Sequence, residues 1–139
     1  MVCNTSALSN SRKRFTSVLQ GVDMTSYEMG DRRHLDKVSS LFQAFRQLDI
    51  NIPLQLAYTF VLCATYEGES VGDIARRAGF AVSTTSRHIL DLWAFDRKKN
   101  PGFGLVETRI DPMELRRKTV HLTPKGRNLL NQIISTMRL

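Results

Sequence analysis

The sequence predicts a mainly α-helical fold carrying one small β-hairpin. Beyond the N-terminal arm, apolar residues recur at helical spacing in five separate segments, whereas strict alternation occurs only in two short stretches, Leu105–Ile110 and Lys118–Leu122, on either side of a polar turn. A third observation fixes the middle of the chain: two short helical runs meet at Gly79 with almost no connecting residues, so the two helices must cross steeply. With 139 residues, 42% of them hydrophobic, the chain is long enough to close one core, and one domain with trimmings is expected.

Residues 1–30 are rich in Ser, Thr and Asn and read as a partly flexible N-terminal arm. Phe15, Val18, Leu19 and Val22 have the spacing of a short helix headed by Arg12, Lys13 and Arg14, and the composition suits disorder equally well. From about Asp31 to Leu48, Val38, Leu41, Phe42, Phe45 and Leu48 form one stripe of an amphipathic helix. Asn51-Ile52-Pro53 then reads as a cap followed by a first-turn proline. The helix behind it, with Leu54, Leu56, Ala57, Phe60, Val61, Cys63 and Ala64, leaves so little polar surface that it belongs in the core, and Gly68 is a suitable stop.

Ser70 and Asp73 have the spacing of a capping box and start a helix from Val71 to Ala78. Gly79 turns the chain into a second run marked by Val82, Thr85, Ile89 and Leu92. Trp93 is expected in the core, and the segment AFDRKKNPGFG after it is a loop. The two alternating stretches then make a hairpin, with Val106, Thr108 and Ile110 on one face of the first strand and Val120 and Leu122 inward on the second. Its turn, DPMELRR, is polar and basic. Thr123 and Pro124 serve as N-cap and first residue of a last helix whose apolar face is Leu129, Leu130, Ile133, Ile134 and Met137.

The net charge of +7 is unevenly spread: residues 1–30 sum to +1, 31–70 to −1 and 71–139 to +7. Positive charge gathered in one half suggests a polyanionic partner, because Lys and Arg displace the counterions condensed on phosphates. Cys3 and Cys63 give neither a disulfide framework nor a zinc site, and His34, His88 and His121 lack companions at metal-ligand spacing, so neither metal nor cofactor is expected. No apolar run approaches the ~20 residues that span a bilayer, and the opening residues do not resemble a signal peptide. A soluble, unexported protein without a membrane partner is expected. The chain lacks G-x-x-x-x-G-K-[ST], G-x-S-x-G and H-E-x-x-H, which argues against an enzyme.

The stretch SVGDIARRAGFAVSTTSRHILDL carries the functional signal. Ala75 is small enough for close helix approach, Gly79 frees the turn, and Ile74, Phe80, Ile89 and Leu92 fill the wedge between the helices. This leaves Ser83, Thr84, Arg87, His88 and Asp91 mainly on the outer face, a set of short hydroxyls and one Arg suited to a helix entering a major groove by its N-terminus. Arg76 and Arg77 read equally well as a solvated helix face. His88 reads as a surface residue near DNA, and His121 as a structural residue of its strand.

With the hairpin added, the pattern is that of a winged helix-turn-helix, and the chain resembles the MarR family of transcriptional regulators. The resemblance runs through E-G-E-S-V-x-x-I-A at Glu67 to Ala75, S-T-x-S-R at Ser83 to Arg87, and D-P-x-E-x-R-R-K-x-V-x-L-T-x-K-G from Asp111 to Gly126. It covers residues 31–139, with the helix-turn-helix at 70–95, the wing at 105–122 and the C-terminal helix at 123–139. It implies a cytoplasmic, nucleoid-associated protein of a prokaryote, or of its virus or plasmid. It also implies a homodimer on double-stranded DNA, with intertwined terminal helices and a recognition helix in each major groove.

The wing residue Arg116 would then enter the minor groove, oriented by the acid two residues before it, here Glu114 where Asp is commoner in the family. The residues expected at DNA are Ser83, Thr84, Ser86, Arg87, His88, Arg97, Lys98, Lys99, Glu114, Arg116, Arg117 and Lys118. Many members of the family also release DNA when a small molecule binds; no residue here identifies such an effector. Two features depart from the pattern: the 94–104 loop is long, which would place Arg97, Lys98 and Lys99 near phosphates, and the last helix is short. The alternative to a DNA-binding regulator is a winged-helix adaptor that binds another protein, such as a component of the transcription machinery.

Overall fold

The structure, a computed structural model, describes residues 24–95 and 100–138. Its elements are α1 (Met24–Arg46), α2 (Leu54–Thr65), α3 (Val71–Ala78), α4 (Val82–Leu92), β1 (Val106–Ile110), β2 (Lys118–Leu122) and α5 (Pro124–Arg138). This is a mainly helical chain with one antiparallel hairpin. The readings of Arg12 to Val22 and of the loop cations Arg97, Lys98 and Lys99 fall outside the described residues. Two compact units divide the chain, Met1–Val38 and Ser39–Leu139.

In the first unit, α1 starts at Met24 and not near Asp31. The apolar stripe marks only the later part of this helix, and the residues before it contain no proline to stop it; Gly30 is tolerated at about 1 kcal/mol relative to Ala. Leu35 and Val38 are exposed.

The second unit holds the core. Phe45 meets Phe60 edge to face at 6.0 Å, and Cys63, Ile74, Ile89, Leu92, Leu105, Val106 and Val120 close around them. Burying each large aliphatic or aromatic side chain contributes roughly 1.5–3 kcal/mol. Burial pushes the Cys63 thiol up to about 12, so it packs as a small hydrophobe and forms no thiolate near neutral pH.

Two expectations for α2 change. Pro53 is the N-cap, with extended backbone and no side-chain cap, and α2 begins at Leu54; the Asn51 amide instead donates to Asp49 Oδ1 at 2.8 Å, so Asp49 closes the preceding turn. The helix is also not wholly buried. Leu56, Ala57, Phe60 and Cys63 face inward, while Leu54, Tyr58 and Val61, spaced along the opposite side, remain exposed.

Ser70 caps α3 as expected, and Gly79 ends it in the left-handed conformation at φ 72°. The hairpin pairs Val106 with Leu122 and Ile110 with Lys118. Val106, Val120 and Leu122 are buried, whereas Ile110, on the same face of β1 as Val106, is exposed because the hairpin extends past the core it springs from. Leu105, just before β1, is fully buried and ties two helices together: its amide donates to Leu92 O at the end of α4, and its carbonyl accepts from Thr123 N at the start of α5. Thr123 caps α5 through the Gly126 amide. The wing is also stitched to the helix-turn-helix, since Gly68 N donates to Val120 O and Val120 N to Glu69 O.

Gly126 is required by this arrangement. A Cβ there would collide with Leu105 O, which accepts from Thr123 N and belongs to a residue held on its amide side by Leu92 O. Gly126→Ala should therefore destabilise the fold by about 1–3 kcal/mol, although the same change on an open helix surface stabilises by roughly 1 kcal/mol. Thermal unfolding checks the sign.

Candidate nucleic-acid interface

Two elements present side chains to one another and to solvent: the helix pair α3–α4, and the wing formed by β1, β2 and the turn between them. Their junction is built on Asp73. The Ser70 hydroxyl accepts from the Asp73 amide at 3.2 Å and donates to Asp73 Oδ2 at 2.7 Å, a variant of the capping box in which the acid answers the hydroxyl and not the backbone amide. The same carboxylate takes Arg76 on Oδ1 at 2.8 Å and Arg117 of the wing on Oδ2 at 3.1 Å. Hydrogen bonding from Ser70 first, then the two guanidiniums, hold the Asp73 carboxyl below its usual range against some desolvation.

Further acids of this region are likewise occupied by arginine. Glu69 receives Arg77 bidentately at 2.7 Å, and that guanidinium lies 3.7 Å from the centre of the Tyr66 ring. The pair lowers the Glu69 carboxyl and raises Arg77, mainly through the shared hydrogen bond. Glu67 Oε1 accepts from the Leu122 amide and from Arg127, tying the wing base to α5, and Arg109 pairs with Glu107 along β1. Arg76 and Arg77 are thus ion-pair members on a helix face that stays exposed to solvent.

Some basic residues are left without an acid among the described residues, Lys125 and Arg138 on α5 among them, and those beside the helix pair are informative. Arg87 on α4 and Arg116 and Lys118 on the wing are exposed and have no ion-pair partner among the described residues. Ser83 is exposed beside Arg87 on the first half of α4, and Thr84 is half-buried. The N-cap of α4 is Ala81, with no side-chain cap, so amides of its first turn stay open to an acceptor from outside.

Other predicted residues are placed differently. His88 turns back toward α2: its Nδ1 lies 3.0 Å from Thr59 Oγ1, and its ring meets Phe80 edge to face at 5.6 Å. The Thr59 hydroxyl spends its proton on Gln55 O, so His88 Nδ1 is the donor. Ser86 is half-buried and lines a small cavity of about 180 Å³ with Ile89, Leu90 and Trp93. Arg117 is half-buried and held by Asp73 and, at 3.9 Å, Asp111.

Glu114 is exposed and forms no ion pair with Arg116 among the described residues; its carbonyl accepts from the Arg117 amide at 2.8 Å, and the turn is closed by Asp111, whose Oδ1 accepts from the Met113 amide. Trp93, expected in the core, is 39% exposed because α4 ends at Leu92 and the chain leaves in an extended conformation. His121 is structural, bonded to Thr119 Oγ1. Sequence reading missed the wing-bracing role of Asp73 and Arg117. The only signal was an acid in a cap and an arginine in a basic run, and nothing local links residues so far apart. No group of three potential metal ligands occurs among the described residues.

Neither a family model nor a curated protein matches the sequence. Solved structures do. RV1404 from Mycobacterium tuberculosis superposes with a TM-score of 0.62 at 22% identity, covering 85% of this chain and 75% of that one. A point mutant of Staphylococcus aureus MepR bound to an oligodeoxyribonucleotide gives 0.53 at 26% identity, covering 89% and 76%. The MarR family transcription regulator SP03579 gives 0.51 at 13% identity, covering 95% and 76%. The fold is the winged helix-turn-helix of such regulators.

The Asp73 junction predicts a pH signature. Because the folded-state pKa of Asp73 is lowered, its contribution is complete above the ordinary aspartate range and is lost as pH falls through the lowered value. Asp73→Asn should lose stability near neutral pH and show a shallower acid decline than wild type in urea titrations from neutral to acidic pH. Equal slopes would show that the junction contributes nothing.

Proposed function

We propose that this chain is a MarR-family transcriptional regulator that binds double-stranded DNA as a homodimer, with α4 in the major groove and the wing against the adjacent minor groove. The observation that carries this reading is the selective pairing of charge. Several arginines around the helix-turn-helix and wing are consumed by acids, while Arg87, Arg116 and Lys118 are left uncompensated on the recognition helix and wing. Free exposed cations there suit phosphates and base edges, whereas paired ones would add little. The likeness to MepR, described as bound to an oligodeoxyribonucleotide, supports the same partner.

The roles divide along the geometry. Arg87, exposed on the outer face of α4 with Ser83, reads a base edge, where a guanine offers two acceptors to one guanidinium. Arg116 sits on the wing and takes the narrow minor groove, whose negative potential favours Arg but distinguishes bases poorly. Lys118 serves phosphates, as do Arg97, Lys98 and Lys99 of the long loop. Ser86, His88 and Arg117 support the interface from behind, and Glu114 stands at its edge. The exposed stripe Leu54, Tyr58 and Val61 supports dimerisation, and a dimer would set half-sites about 34–36 Å apart. The reading involves no catalysis and no effector.

The test is a titration of variants against a site selected from random DNA, a point-mutated site and an unrelated duplex, at several salt concentrations. Arg87→Ala should cost roughly 1–3 kcal/mol on the selected site and much less on the unrelated duplex. Arg116→Ala should weaken all three duplexes and flatten the salt dependence. Undiminished discrimination by Arg87→Ala would contradict the placement of α4, and salt-independent binding would contradict the reading as a whole.

A further inference from the structure

The wing tip has a feature that its charges do not explain. Met113 is 94% exposed and Leu115 78%, on either side of Glu114 and next to Arg116. A single exposed apolar residue is ordinary, but two large ones at a hairpin tip leave most of their hydrocarbon in water. They are also not on a loose loop. The Asp111 carboxylate holds the Met113 amide at 2.9 Å, Arg117 N donates to Glu114 O at 2.8 Å, and Asp111 N donates to Arg117 O at 2.9 Å. Arg117 is itself fastened to Asp73 on α3. The tip is therefore a braced turn that projects its apolar side chains away from the core, where none of the described residues covers them.

We propose that Met113 and Leu115 act as wedges, inserting beside Arg116 into the minor groove and partly unstacking a base step. This rests on the reading of the chain as a DNA-binding protein. The chemistry fits in three respects. Unbranched Met and the aliphatic Leu are among the side chains that enter between base steps and open the duplex toward the major groove. The adjacent uncompensated cations Arg116 and Lys118 draw the tip to an anionic partner, which favours a nucleic acid over an apolar protein surface. Unstacking costs a few kcal/mol per step, so a wedge must be pushed by something stiff. The chain of bonds from Asp73 through Arg117 to the turn supplies that stiffness. The wing would then read deformability, preferring flexible pyrimidine–purine steps at positions where no side chain bonds to a base.

The experiment uses the full chain and a duplex selected from random DNA, with 2-aminopurine placed in turn at each step under the wing. Wild type should raise the fluorescence at one step per half-site. M113S/L115S, which changes only exposed positions and should unfold at the wild-type temperature, should bind without the rise and about tenfold more weakly. A pre-formed mismatch at that step should restore the affinity of the variant. DNA binding by wild type with no fluorescence rise at any step, or an undiminished rise with M113S/L115S, would overturn the wedge while leaving the regulatory reading intact. A variant that instead changes only the sedimentation of the free protein would reassign the tip to a contact between copies and overturn it as well. Absence of any DNA binding by wild type would overturn both.

Discussion

The Asp73 carboxylate joins the two parts of this protein that must act together. It completes the cap of α3 through Ser70 and receives Arg117 from the wing, so the start of the helix-turn-helix and the end of the hairpin turn share one anion. An exposed ion pair alone contributes little. Here the pair works with backbone bonds from Gly68 and Glu69 to Val120 and with Glu67, which ties the Leu122 amide to Arg127. The combination sets where the wing stands relative to α4. With Phe80, His88 and Thr59 seating α4 from behind, that helix has one defined place against α2. A reader of DNA needs that definition, because base contacts fail when the helix and the flanking arm are free to drift.

Charge then decides where a partner is drawn. From the sequence, the basic excess of residues 71–139 looks like one large phosphate-binding reserve. The structure sorts it. Arg76, Arg77, Arg109, Arg117 and Arg127 each have an acid, two of them, for Arg77 and Arg127, supplied by Glu69 and Glu67 of the slightly negative segment before it. Among the described residues of this half, Lys125 and Arg138 on α5 also lack an acid, but Arg87, Arg116 and Lys118 are the unpaired cations on α4 and the wing, and they add to the field that would steer a polyanion there.

The elements that were legible in the sequence are those fixed by local rules. Ser70 as a cap, Gly79 in the left-handed region, Thr123 and Pro124 at the head of α5, and the alternation of Lys118 to Leu122 each depend on neighbours within a few residues. A distant partner decides the case of His88, which Thr59, twenty-nine residues away, draws inward from the outer face. Asn51 departs from its expected role for a local reason, because Asp49 two residues before it takes its amide and Pro53 becomes the cap of α2. Arg116 and Arg117 illustrate the limit most clearly: they are identical neighbours in a basic run, yet one has no ion-pair partner among the described residues and the other is held by an acid forty-four residues away. Periodicity cannot separate them, because the difference lies in which way the braced turn points each side chain.

On this mechanism α4 and the wing engage two different grooves of one duplex. Footprinting on a site selected from random DNA tests this directly, with hydroxyl radicals reporting the minor groove and methylation interference at guanine N7 reporting the major groove. Two patches of major-groove interference about 34–36 Å apart are expected, each with minor-groove protection to one side. Continuous protection with no methylation interference would show backbone binding without an inserted helix, and would contradict the mechanism.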